Sequence, residues 1–166
     1  MFTWTAFLII ISWQLFIFLV LAWKKTCTPQ VTFTILWKSL LVGLPFGVVF
    51  DLAVGEYAGV YDYQGIGFTF PFLAINGIFS YGLMIATAVL LYSNSFFQMY
   101  TYSIVLAVLY ESVNYFSPVW HWTFNDSFVI ELFVLVFAAY FGLMFLMGVT
   151  MMPFTKKSFA FLSTRQ

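Results

Sequence analysis

The sequence predicts an all-α integral membrane protein, a single transmembrane helical domain over 1–166 built as a bundle of about five spanning helices. Three observations carry this. Of the residues, 63% are hydrophobic and only 7% are charged, and the apolar residues fall into five runs long enough to cross a bilayer. A soluble domain carries roughly 25% charged residues, so this chain has too few to clothe a water-facing surface. A mean hydropathy of +0.99 puts lipid against most of its side chains.

A spanning helix needs about 20 mostly apolar residues. The first run, 3–23, stops at the pair Lys24-Lys25. No basic stretch precedes it, so it reads as a retained helix rather than a cleavable signal. The second, 31–54, holds Lys38 near its start, Asp51 near its end, and Gly43-Leu-Pro-Phe-Gly47 between them. That segment predicts a proline kink beside a small-xxx-small contact face. The third run, 70–92, follows a link rich in Gly and Tyr. The fourth, 97–116, ends at the breaker Ser117-Pro118, and the fifth, 127–152, ends before Pro153. No alternation long enough for a membrane barrel is present.

Charge sets the orientation, because cytoplasmic loops are enriched in Lys and Arg. Lys24, Lys25 and Lys38 surround the first loop, and Lys156, Lys157 and Arg165 lie in the tail. Five crossings put both groups on one face, predicting an N-terminus outside and a C-terminus in the cytoplasm. Asp51, Glu56, Asp62, Glu111, Asp126 and Glu131 all fall toward the other face. Four or six crossings would split the basic residues. The zero net charge gives no reason to expect a nucleic-acid partner. The lone Cys27 can form no internal disulfide and has no metal-ligand spacing, so no metal is expected.

The chain also repeats itself. Val49-Phe50-Asp51 through Gly59-Val60-Tyr61-Asp62-Tyr63 resembles Leu109-Tyr110-Glu111 through Pro118-Val119-Trp120-His121-Trp122, and sixty residues separate Asp51 from Glu111. Each copy would be a helix, an acid, an aromatic-x-aromatic turn and a second helix. Two helices per copy restore the starting side, which predicts a parallel repeat about an axis normal to the membrane.

An ionisable side chain inside a membrane costs at least ~2.5 kcal/mol by insertion scales and so tends to have a task. Glu111 lies about five residues from the outer end of the fourth helix, roughly 7–8 Å deep at 1.5 Å per residue. Asn114 follows it at i+3 on the same face. Glu131 and Asp51 come at a comparable level, which makes Glu111, Glu131 and Asp51 the candidate catalytic acids. Burial and mutual repulsion of three carboxyls would let one keep its proton and act as an acid. The other reading, that they mark helix ends and reach the interface, stays open. Asn76, Asn114, Tyr61, Tyr63, Trp120 and Trp122 are the candidate substrate-binding residues. The aromatic ones form either an interfacial belt or walls that stabilise a cation. Asn76 and Ser80 give the third helix a polar stripe that interhelical hydrogen bonding would also explain.

From Trp4 to about Tyr92 the layout resembles the membrane-embedded lycopene cyclase domain and related carotenoid-modifying membrane proteins. That family places an Asp at a helix end, then a Gly-aromatic-x-Tyr turn, then Gly and Pro leading into the next helix. Here Asp51, Gly59-Val60-Tyr61-Asp62-Tyr63, Gly65 to Gly67 and Pro71 follow that order. The family's Pro-x-Glu-Glu, credited with protonating the polyene, corresponds to Pro71-Phe72-Leu73-Ala74, which holds no acid. The resemblance implies a membrane enzyme acting on a long isoprenoid or carotenoid by proton-initiated cyclisation, isomerisation or hydration, an isomerase or intramolecular lyase of carotenoid biosynthesis. Glu111 would be the acid and Glu131 or Asp51 its partner, with no cofactor. Two further readings stand beside it: a non-enzymatic lipid- or polyene-binding membrane subunit, and a small proton-linked transporter component. The partners this reading implies are the lipid bilayer and a hydrophobic isoprenoid-type ligand, within a homo- or hetero-oligomer or alone.

Overall fold

The computed structural model describes residues 4–92, 96–116 and 119–123. It is mostly helical. Helix α1 covers Trp4–Lys24, and α2 covers Pro29–Phe50 and runs on as a π-helical segment, Asp51–Tyr57. A short strand β1 (Tyr61–Tyr63) leads to α3 (Phe70–Asn76), a second π-helical segment (Gly77–Tyr81) and α4 (Gly82–Tyr92). Helix α5 (Phe96–Phe116) and strand β2 (Trp120–Trp122) complete the described chain. The predicted fifth helix, 127–152, lies outside the described residues.

Among the described residues, three helices are long and apolar enough to cross a membrane: Trp4–Lys24, Pro29–Tyr57 and Phe70–Leu91. They coincide with the first three predicted runs to within a few residues. Thr28 starts α2 by accepting a bond from the Val31 N–H at 3.4 Å, with Pro29 in the first turn where no amide donor is needed. Pro45 sits inside the continuous α2 and removes one backbone donor from it.

The helix formed by α3, the second π segment and α4 is the inner one. It packs on both α1 and α2, and every residue from Ser80 to Leu91 is buried. The α2 face turned toward it is a row spaced by four: Ile35, Ser39, Gly43, Gly47 and Asp51 are all buried. The two helices touch backbone to backbone. A Cβ added at Gly43 would stand 2.5 Å from the Gly77 carbonyl oxygen and from the Gly82 Cα. Small residues allow this contact, the kind of packing that would hold helices together in lipid, where no hydrophobic driving force acts between them. On α1 the buried row is Ala6, Ile10, Gln14, Phe18 and Ala22, with Phe7 beside it.

A two-stranded ribbon departs from the all-α expectation. β1 pairs antiparallel with β2 in the register Tyr61 with Trp122, Asp62 with His121, and Tyr63 with Trp120. The two aromatic-x-aromatic turns noted in the sequence therefore bond to each other, centred on Asp62 and His121. The ribbon is extended by Gln64 N–H donating to Val119 C=O at 3.1 Å and Thr123 N–H to Val60 C=O at 3.2 Å. Three-residue strands are too short to announce themselves by alternation, and their backbone bonds need a partner almost sixty residues away.

Candidate functional site

Asp51 is the centre of a buried polar cluster. Its side chain is 0% exposed. Oδ1 accepts hydrogen bonds from the hydroxyls of Tyr61 at 2.6 Å, Tyr81 at 2.6 Å and Tyr63 at 3.1 Å. Oδ2 accepts from Asn76 Nδ2 at 2.9 Å, and the same amide nitrogen donates to the Tyr63 hydroxyl at 2.9 Å. Four donors around one carboxyl supply what water would otherwise supply. A buried acid without them would carry a heavy desolvation cost.

The backbone explains why these side chains meet. Asp51 extends the four-residue row of α2 and opens the first π segment. Asn76 and Tyr81 bracket the second π segment, five residues apart, and a π turn closes on i+5 rather than i+4. Both enter the site from the same helix. Tyr61 and Tyr63 are alternate residues of β1, which puts them on one face of the ribbon; both are buried while Asp62 between them is exposed. Gly55 leaves room for this arrangement: a Cβ there would overlap the Phe68 ring and stand 3.0 Å from Tyr61 Cε2. Burial, and then the carboxylate of Asp51, push the phenols of Tyr61 and Tyr63 up from their ordinary range, so both stay neutral donors.

Beside the cluster lies a cavity of about 120 Å³. Tyr61, Tyr63, Asn76 and Tyr81 form one wall of it. Phe7 and Ile10 of α1, Met84 of α4, and Val119 and Trp120 at β2 contribute to the others. Asp51 itself does not reach the cavity; its four partners stand between. An apolar cavity of ~150 Å³ admits a benzene ring, so this one takes a group of about that size, such as one end of a longer apolar molecule. Tyr63 stacks edge-on against Phe72 at 4.6 Å between centroids, and Phe50 meets Tyr81 at 5.8 Å. Packed rings on both sides fix the phenols in place.

Of the predicted site residues, the structure brings Asp51, Tyr61, Tyr63 and Asn76 into one hydrogen-bonded group, with Trp120 on the cavity wall. Asn114 is engaged otherwise. Its Oδ1 accepts from the backbone N–H of Val119 at 2.8 Å and Trp120 at 3.0 Å, and its Nδ2 donates to the Trp120 carbonyl at 2.9 Å. It holds the turn that presents Trp120. Trp122 faces Tyr61 in the strand register. Glu111 falls within α5, its side chain outside the described part of the structure, and Glu131 lies outside the described residues. Among the described residues, the hydrogen-bond partners of Asp51 are three phenols and an amide, with no second acid.

Sequence reasoning missed Tyr81, although it lies five residues after Asn76 and is as close to Asp51 as any partner. The structure separates the aromatic residues of the Gly- and Tyr-rich link, for which the belt and wall readings were both open. Tyr57 is 93% exposed, as a residue of an interfacial belt would be, whereas Tyr61 and Tyr63 are buried.

Comparisons with protein families, with characterised proteins and with solved structures find no match. Fold and site together define a class: a helical protein, three of whose helices could span a membrane, with a hydrogen-bonded carboxyl buried behind an apolar, aromatic-walled cavity.

Proposed function

We propose that the protein lies in the membrane and binds one end of a long isoprenoid or polyene in the cavity between α1, α4 and the ribbon. The observation that carries this reading is the screen of Tyr61, Tyr63, Tyr81 and Asn76 between Asp51 and the cavity. Their donors turn to the carboxyl and to one another, which leaves mainly rings and aliphatic groups, with the Ser80 hydroxyl beside them, to meet a ligand. Asp51 is then a positioning residue, and the resemblance to carotenoid-modifying membrane proteins supplies the ligand class.

Proton-initiated chemistry on that ligand is the second reading, favoured by the aromatic walls, which suit a carbocation. Addition of a proton to an alkene carbon would leave the positive charge on the neighbouring carbon. Loss of a proton after ring closure or migration, or capture by water, would then discharge it. Glu111 is the acid this reading assigns, with Glu131 or Asp51 as partner. In either reading the chain makes five crossings, its N-terminus outside and its C-terminus in the cytoplasm, and its halves form a parallel repeat.

Co-expression in cells that make lycopene tests both readings at once. Lycopene retained by the detergent-purified protein, with no change in total pigment, supports the binding reading. New cyclised, isomerised or hydrated pigment supports the enzyme. Absence of both retained and altered pigment would remove both readings.

A further inference from the structure

The inner helix brings two unspent polar atoms to the cavity. Asn76 Nδ2 gives its two protons to Asp51 and Tyr63. Those acceptors fix which way the amide faces, because the reverse orientation would set Oδ1 against a carboxyl oxygen. Oδ1 is therefore left over, and it can only accept. One turn further on, Ser80 carries a hydroxyl that can both donate and accept. Interhelical bonding thus accounts for one end of Asn76 and for nothing on Ser80. Both residues line the cavity, although they are only 5% and 8% exposed. Neither Asn76 Oδ1 nor Ser80 Oγ has a hydrogen-bond partner among the described residues, and neither is sealed off. The indole nitrogen of Trp120, by contrast, is unmet but enclosed in the packing. The hydroxyls of Tyr61, Tyr63 and Tyr81 donate to Asp51. None of the described residues that line the cavity is basic, so nothing there would offset an anionic head.

We infer that the ligand end held in the cavity bears a hydroxyl group, which accepts a hydrogen bond from Ser80 Oγ and donates one to Asn76 Oδ1. The inference rests on the binding reading above and narrows it from isoprenoids in general to their alcohols. Residues four apart on a helix have Cβ atoms about 5–6 Å apart, a gap that one oxygen can bridge. A hydroxyl suits a pair in which one atom can donate and the other can only accept. A keto oxygen would meet Ser80 and leave Asn76 Oδ1 unmet, and a hydrocarbon end would leave both, each at a cost. A site built to bond a hydroxyl rejects the analogue that lacks it.

The test titrates the detergent-purified full chain with lycopene and, separately, with its 1-hydroxy derivative, following pigment absorbance. The hydroxylated polyene should bind about 25-fold more tightly, two net hydrogen bonds at about fivefold each. Ser80→Ala removes one of the two and should lower that ratio to about fivefold. Equal affinity of the wild type for both pigments would overturn the inference and leave the binding reading standing; it is also the result expected if water meets the two atoms. This comparison decides the matter alone if the variant does not fold. A ratio unchanged in a folded Ser80→Ala would overturn the inference too, by assigning the preference elsewhere. Failure of both pigments to bind would overturn the binding reading, and this inference with it.

Discussion

Asp51 and Tyr81 lie thirty residues apart in the chain and meet at 2.6 Å, carboxyl to phenol, inside a helical bundle. The pairing joins the end of the α2 row to the end of the second π segment, so two irregular helical turns converge on one bond. Changing the acid should therefore disturb more than one helix. Asp51→Leu leaves four buried donors unmet and should destabilise the protein by more than ~3 kcal/mol. Asp51→Asn keeps the shape but turns an amide nitrogen toward either Asn76 Nδ2 or the phenols, at a cost of about 2 kcal/mol. The double variant Asp51→Asn/Asn76→Asp restores a donor opposite an acceptor and should recover part of that loss. Thermal unfolding in detergent measures all three, and a wild-type melting point for Asp51→Leu would show that the cluster holds nothing together.

Backbone contact between α2 and the inner helix predicts a steric effect independent of the polar cluster. Gly43→Leu must push the helices apart at Gly77 and Gly82 and should cost at least ~3 kcal/mol, the upper range for overpacking. Gly59→Ala, where a Cβ would meet nothing within 4 Å, is strained only by its positive φ and should cost less. Comparison of folded yields after detergent extraction checks the order of the two.

Alkaline pH should weaken the fold through Tyr61 and Tyr63. Their phenols are raised in the folded state, so the stability they contribute is complete below the unfolded value near 10. It is lost as pH rises through the higher folded values. Melting temperature should fall across roughly pH 9 to 12, and the fall should be shallower in Tyr61→Phe/Tyr63→Phe. Identical slopes would mean that other groups govern alkaline unfolding.

The five-crossing arrangement makes a topological prediction. Reporter fusions after Tyr92 and at Gln166 should report cytoplasm, and fusions at Tyr63 and Phe124 the outer side. A cytoplasmic signal at Tyr63 would contradict both the orientation and the common outer face of the acids.

Should new pigment appear on co-expression, Glu111→Gln separates chemistry from packing. It keeps shape and hydrogen bonding while removing the titratable proton. Turnover should drop by at least ~10²-fold, the lower scale for losing a general acid, with folded protein still recovered. Unchanged turnover would take Glu111 out of the mechanism.

The first three helices were legible because runs of about 20 apolar residues have few alternatives. The site was legible only in pieces. Asp51 stood out as an acid in an apolar run, and Gly43 and Gly47 as a contact face, but the spacing of four that joins all three went unread. Tyr81 was hidden because helical periodicity assumes 3.6 residues per turn, whereas the segment Gly77–Tyr81 is wound wider. The proposed repeat offers one signal for the first π segment. Ten residues separate Asp51 from Tyr61 and nine separate Glu111 from Trp120, and a π turn takes up one extra residue within a helix. Gln14 was read as part of an apolar run, yet it is buried on the inner row of α1 with both amide atoms unpartnered among the described residues.

Asp51's partners among the described residues all lie from Tyr61 to Tyr81, so the acid and these donors belong to one short stretch of chain. During synthesis that stretch leaves the ribosome before α5 and β2 exist. If the helices span a bilayer as proposed, the carboxyl can thus meet its four donors when the third apolar helix enters it, without waiting for the later half. An insertion intermediate ending near Tyr92 would already carry Asp51 with its four donors, and the step that then remains is the closing of the ribbon over the cavity.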